Sequence, residues 1–142
     1  MKRETIRDVA LWLWGRELGQ PYKWGGDDAI DGWDCSGLII EILKAVGVLP
    51  RVGDWASWQL ADEFRPKMVT KPTPGCLLFW NRGGRIGHVE VVWKIIGTHV
   101  LTIGAAGGGS ATQTEEDAAA QNAYVKVRPA RQGWVLAVDP FR

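Results

Sequence analysis

Asp34-Cys35-Ser36-Gly37-Leu38-Ile39-Ile40-Glu41-Ile42-Leu43-Lys44-Ala45-Val46-Gly47 is the stretch whose reading decides the fold. Leu38, Ile39, Ile42, Leu43 and Val46 recur at helical spacing, which predicts a helix opening at Cys35 and ended by Gly47. The apolar stripe is broader than a surface helix needs, so this helix belongs in the centre of the domain. Upstream, Thr5-Ile6-Arg7-Asp8 reads as a capping box before apolar Val9, Trp12 and Leu13, with Gly19 closing that helix before Pro21. Residues 22–34 are turn-rich, with Gly25, Gly26 and Gly32 among Asp27, Asp28, Asp31 and Asp34. Residues 57–64 suit a third, short helix.

Beyond Pro72 and Pro74 the period changes. Residues 76–80 read as a short buried strand and Asn81-Arg82-Gly83-Gly84 as a turn. Runs rich in β-branched residues at 88–96 and 99–106 form a hairpin through Gly97-Thr98. Gly107-Gly108-Gly109 breaks the pattern, and Thr114-Glu115-Glu116-Asp117 caps an alanine-rich turn of helix. Residues 124–128 and 134–138 supply two further strands. Helices first and a mostly antiparallel sheet of about five strands second is the α+β pattern, in a single domain over 1–142.

Composition narrows the function classes. A chain of 142 residues, 46% hydrophobic and 23% charged, can bury its own core and is too apolar for disorder. A net charge of +1 gives no basic surface for nucleic acid or for an anionic membrane. No apolar run is long enough to span a bilayer, so neither nucleic acid nor membrane is expected as a partner. Arg7, Asp8, Arg16 and Glu17 interrupt the N-terminal stretch, leaving no signal-peptide core. The chain is therefore expected to be made in a reducing cytoplasm, its two cysteines unpaired. Their spacing fits no zinc site, so no metal is expected. The odd figure is the nine tryptophans, more than a core of this size calls for.

Cys35 is placed where chemistry could use it. A cysteine at a helix start faces unpaired amides and the positive end of the helix dipole, and both favour the nucleophilic thiolate. His88 opens a strand that would pack beside this helix, and Gly87 before it permits close approach. A histidine within reach could take the thiol proton and return it to a leaving amine. The plainer reading makes Cys35 a small core residue and His88 a strand-end histidine.

Pro21-Tyr22-Lys23-Trp24-Gly25-Gly26, Asp34-Cys35-Ser36-Gly37-Leu38, Pro74-Gly75-Cys76-Leu77-Leu78-Phe79 and Gly87-His88-Val89 together resemble the NlpC/P60 family of cysteine peptidases in order, spacing and context. The resemblance runs from about residue 21 to 106. It implies a papain-like fold and cleavage of peptidoglycan stem peptides, usually between D-γ-glutamate and the diamino acid. It further implies Cys35 as nucleophile, His88 as base and Tyr22 as a helper at the oxyanion. Asp34 and Ser36 match residues that hold a substrate amine, although an N-cap role alone would explain Asp34. No cofactor is implied.

Two positions depart from the family pattern. Cys76 replaces the usual aspartate before the first sheet strand, and its apolar neighbours mark it as a buried structural thiol. Gly104 falls where the family carries a polar residue to orient the base. Water, a backbone carbonyl or Glu90 could hold the imidazole instead, with a solvated strand carboxylate the default for Glu90. His99 reads as a turn histidine. Trp80 and Trp93 are expected in the core, while Trp24, Trp33, Trp55 and Trp58 could wall a cleft, Trp24 and Trp58 serving as substrate contacts.

The expected function is a cell-wall endopeptidase acting on a stem peptide. An amidase, acyltransferase or maturation peptidase, or a catalytically weak structural virion domain, are the alternatives. Delivery in a phage particle or tail, release at lysis or injection would bring it to the wall, with phage tail or virion proteins as further partners.

Overall fold

The central helix is where its apolar stripe puts it. In a computed structural model that describes residues 2–28 and 32–142, with the side chains of 27–33 left undescribed, α1 spans Arg3–Arg16 and α2 spans Cys35–Ala45. Leu38, Ile39, Ile40, Ile42 and Leu43 of α2 are all buried, a wider face than the stripe alone, because α2 lies between α1 and a sheet. Trp14 of α1 is fully buried, donates its indole N–H to the Leu38 carbonyl at 3.3 Å, and meets Phe141 edge-on. Each such side chain stabilises the fold by about 1.5–3 kcal/mol through lost apolar exposure.

Between these helices β1 (Asp27–Asp28) pairs with β2 (Gly32–Trp33), and α3 (Ser57–Phe64) follows α2, its Leu60, Ala61 and Phe64 buried. A single 3₁₀ turn over Arg65–Lys67 leads on to the sheet. Its strands are β3 (Leu77–Arg82), β4 (Arg85–Ile96), β5 (His99–Ala106), β6 (Tyr124–Pro129) and β7 (Leu136–Val138), with α4 (Glu115–Gln121) between β5 and β6. The order β6-β5-β4-β3-β7 is antiparallel at every junction. Alternation divides the sheet into two faces. Leu77, Phe79, Val89, Val91 and Ile103 join the helices in the main core, whereas Leu78, Trp80 and Val92 form a smaller cluster with Cys76 and Ala137.

The β3–β4 register contains one irregularity. Trp80 pairs with His88 but Asn81 with Ile86, so Gly87 is an extra residue on β4. Asn81 and Arg82 thus belong to β3 rather than to the turn, which Gly83 and Gly84 make alone, both with positive φ. The helix α1 also differs from expectation. It starts at Arg3, before Thr5, and Ile6 already donates to the Lys2 carbonyl, so Thr5 has no orphan amide to cap and Asp8 pairs with Arg7 instead. The Thr114 cap of α4 forms as read, its hydroxyl accepting from Asp117 N–H at 3.1 Å.

Because α2 is held from both sides, Leu38→Ala should lower the unfolding free energy by about 2–5 kcal/mol in urea melts. Val52→Ala, at a residue 81% exposed, should stay within about 0.5 kcal/mol of the parent.

Candidate active site

The start of α2 is built by a backbone contact that admits only glycine. The Asp34 amide donates to the Gly26 carbonyl at 2.9 Å, which brings that oxygen against the first turn of the helix. A Cβ on Gly37 would lie 2.2 Å from it and 2.7 Å from Asp34 Oδ1. Asp34 is the N-cap, its carboxylate accepting from Gly37 N–H at 2.6 Å and from the Ser36 hydroxyl at 3.4 Å. Burial raises the Asp34 pKa, and the hydrogen bonds from Gly37 and Ser36 oppose that rise.

Cys35 is buried just inside this cap. The amides and dipole of the helix start, which favour the thiolate, do not decide its resting state. Burial, with the negative charge of Asp34 beside it, pushes the thiol up to about 11; the Val89 and Ser36 amides and the Arg82 guanidinium pull the other way and lose. A helix N-terminus is worth about 0.3–1 kcal/mol at an exposed site, which does not offset removing a thiolate from water. The resting group is the thiol.

The histidine of the motif is held from behind. His88 is 3% exposed on β4, its ring tilted against Trp80 with centroids 5.6 Å apart. The amide of Val89, next in the chain, contacts the Cys35 sulfur, which brings the two residues into one neighbourhood. His88 Nε2 lies 2.6 Å from Glu90 Oε2, and Arg82 Nη2 lies 3.4 Å from Nδ1. A guanidinium can only donate, so this network leaves Nδ1 the acceptor and gives Nε2 the proton that Glu90 receives.

Glu90 is no solvated carboxylate. It is 1% exposed, and its oxygens also accept from Arg128 at 2.6 Å and from the Thr102 hydroxyl at 2.6 Å. Burial pushes its pKa up, but the hydrogen bonds from His88 and Arg128, the His88 charge and the Thr102 hydroxyl outweigh that and bring it down to about 2. Gly104 makes the room, since a Cβ there would stand 2.9 Å from Glu90 Cγ. The carboxylate that holds the imidazole thus comes from the strand of His88 itself, where the neighbouring strand has Gly104.

Tyr22 is buried beside this group, its pKa raised by burial, by Cys35 and by Asp34. Its ring lies so close over Gly108 that a Cβ there would be 2.4 Å from Cδ1, which gives the central glycine of the Gly107-Gly108-Gly109 run its reason. A cleft of about 490 Å³ opens here, lined by Tyr22, Asp34, Cys35, Ser36, Arg82 and Gly87 among others, a size suited to a small ligand. Trp24, 53% exposed, lines it as well. Trp58 stands outside the lining and stacks under Arg85 at 5.3 Å; Trp55, just before α3, lines the cleft instead. Trp33 lies outside the described side chains. Cys76 is buried in the second cluster with Thr73 N–H and hydroxyl each 3.5 Å from its sulfur, and His99 is exposed at the start of β5. Among the described residues no cluster of three or more His, Cys, Asp or Glu is arranged to hold a metal.

An antiparallel sheet carrying a histidine–carboxylate pair, packed on a helix that begins with a buried cysteine, defines the chain's class as a papain-like α+β domain. The NlpC/P60 family profile matches residues 19–133, beyond both ends of the motif set, and the chain belongs to the NlpC/P60 family. Over 54 residues it is 41% identical to the probable endopeptidase YafL of Escherichia coli K12, covering 35% of this chain and 21% of that protein. Over 95 residues it is 32% identical to the bifunctional muramidase/DL-endopeptidase CwlT of Bacillus subtilis 168, covering 62% of this chain and 26% of that one. The chain therefore spans about a quarter or less of these relatives. Among solved structures, the peptidoglycan hydrolase RipB of Mycobacterium tuberculosis superposes with TM-score 0.68 at 25% identity, over 96% of this chain and 65% of that one.

Arg82 and Arg128 are the residues that reading the sequence passed over, while Glu90 was considered as a partner of the imidazole but given a solvated carboxylate as its default. Alternation put Glu90 and His88 on one face, and a small residue on the neighbouring strand was the available hint that a side chain fills the gap. Since the folded pKa of Glu90 lies below its ordinary value of 4.5, the stabilisation it gives is present above that value and is lost as pH falls toward about 2. Glu90→Gln should therefore flatten the acid limb of a urea-melt stability profile between those values. At neutral pH the same variant should be less stable by about 3–5 kcal/mol, because Arg128 loses its partner.

Proposed function

We propose that this domain is a cysteine endopeptidase that hydrolyses an amide of peptidoglycan stem peptides, the bond between D-γ-glutamate and the diamino acid, through a thioacyl-enzyme. The observation that carries the reading is the buried Cys35 at the head of α2 beside a strand whose His88 is locked to a buried, ionised Glu90. Named relatives that are endopeptidases, and a peptidoglycan hydrolase of the same fold, support the substrate class.

The chemistry follows from the tautomer. His88 Nδ1 takes the Cys35 proton as the sulfur attacks the scissile carbonyl, so the thiolate forms only as it is consumed. Glu90 accepts from Nε2 and stabilises the imidazolium that results. The Cys35 backbone N–H and the Tyr22 hydroxyl, whose raised pKa keeps it a donor, receive the oxyanion. Nδ1–H then protonates the leaving amine. A water, deprotonated by His88, attacks the thioester and returns the thiol. Asp34 has one oxygen engaged by the helix cap, and with Ser36 it faces the cleft where a substrate amine would lie.

Purified sacculi and a defined stem tetrapeptide should release amine-terminated diamino acid fragments with the parent protein. Cys35→Ala should lower that release by a factor of at least about a thousand while melting as the parent does, and His88→Ala should lower it as far but melt earlier, because the buried Glu90 loses a partner. Equal release by parent and Cys35→Ala would sink the reading. Glu90→Gln should lower kcat more than it raises KM.

A further inference from the structure

The cleft is electrically lopsided. Asp34, Glu41 and Asp54 contribute carboxylates to its lining, and Arg82 is the one cationic side chain there among the described residues. No carboxylate of the described side chains lies within 4.0 Å of Arg82 in an ion pair. Among the described residues its hydrogen-bond partner is Nδ1 of His88, at a long 3.4 Å. A guanidinium prefers a planar anion with two oxygens, so Arg82 stands with its preferred partner missing.

The arginine is nonetheless aimed. The extra residue Gly87 on β4 carries no side chain, and a Cβ there would sit 2.8 Å from Arg82 Cβ and 3.3 Å from Cγ. The aliphatic stem therefore lies flat across the bulge, and the charged head reaches the rim beside Cys35, whose sulfur feels its charge. Strand alternation puts Arg82 on the face of Trp80 and His88, two residues along from Trp80.

We propose that Arg82 is a specificity residue that binds a free carboxylate on the acyl side of the scissile amide, so that an acid substrate is cleaved in preference to its amide. The proposal rests on the endopeptidase reading and deepens it. In a γ-linked glutamyl peptide the side-chain carboxyl forms the bond to be cut, and the α-carboxylate beside it stays free. The acidic wall repels that group and suits an amine, so the charge pattern also sets the direction in which the substrate lies. Engaging the carboxylate draws the guanidinium from Nδ1, because a charge-assisted pair outweighs a long bond to a neutral ring nitrogen. That frees Nδ1 to receive the Cys35 proton, and the anion that positions the substrate also uncovers the base.

The test compares two tripeptides, L-Ala-D-γ-Glu-diamino acid and the same peptide with the glutamyl α-carboxyl amidated. The parent should favour the acid by about tenfold or more in kcat/KM, the scale of one charge-assisted pair. Arg82→Gln should cleave both at similar, reduced rates, and Arg82→Lys should keep part of the preference. An unchanged acid-to-amide ratio in Arg82→Gln, or a parent indifferent to the amide, overturns the proposal. Calorimetric binding of L-Ala-D-γ-Glu and of its α-amide to Cys35→Ala reads the same contact without turnover. If neither tripeptide is cut, the endopeptidase reading fails, and these titrations decide Arg82 by themselves: acid binding no tighter than amide binding overturns it.

Discussion

A buried carboxylate shared by an imidazole, a guanidinium and a hydroxyl organises this molecule. Glu90 receives His88, Arg128 and Thr102 from three adjacent strands, so one negative charge ties β4, β5 and β6 together beneath the cleft. An ionised group so enclosed is tolerable only with all its partners present, and removing any one leaves charge uncompensated in a poorly solvated place. The imidazole is thereby fixed in ring orientation and tautomer before any ligand arrives. The buried thiol of Cys35 sits beside the same strand, in contact with the Val89 amide next to that fixed imidazole.

The fold was largely legible because its determinants are local. The stripe of α2, the 57–64 helix, the Gly97-Thr98 hairpin and the Thr114 cap each depend on residues close in sequence, and each forms where the pattern places it. The false cap at Thr5 arose from an equally local pattern that an earlier helix start overrode, since Lys2 already supplies the carbonyl that Ile6 uses.

The candidate site was legible in its motif residues and opaque in their supports. Cys35, His88 and Tyr22 carry short motifs, but the state of Glu90 depends on Arg128, 38 residues away and two strands over. Nothing near Glu90 in sequence separates a solvated carboxylate from a buried one. The state of the thiol was opaque for a related reason: the helix start is a local feature favouring ionisation, whereas the burial and the Asp34 charge that outweigh it are seen only in the fold. Trp55 and Trp58 show the finest grain of the problem. They are separated by the start of α3, and that boundary decides which of them looks into the cleft.

The extra residue at Gly87 also resets the parity of β4. Odd-numbered Val89 and Val91 share the core face, yet even-numbered Ile86 packs against that same core, since the bulge between them reverses the count. The strand thus reads in one phase before Gly87 and in the opposite phase after it. Removing Gly87 alone would therefore leave Ile86 two places from Val89, and ordinary alternation would keep both on the core face. The burial pattern of the strand does not depend on the extra residue. What depends on it is the local kink and the side-chain-free strip across which the Arg82 stem lies.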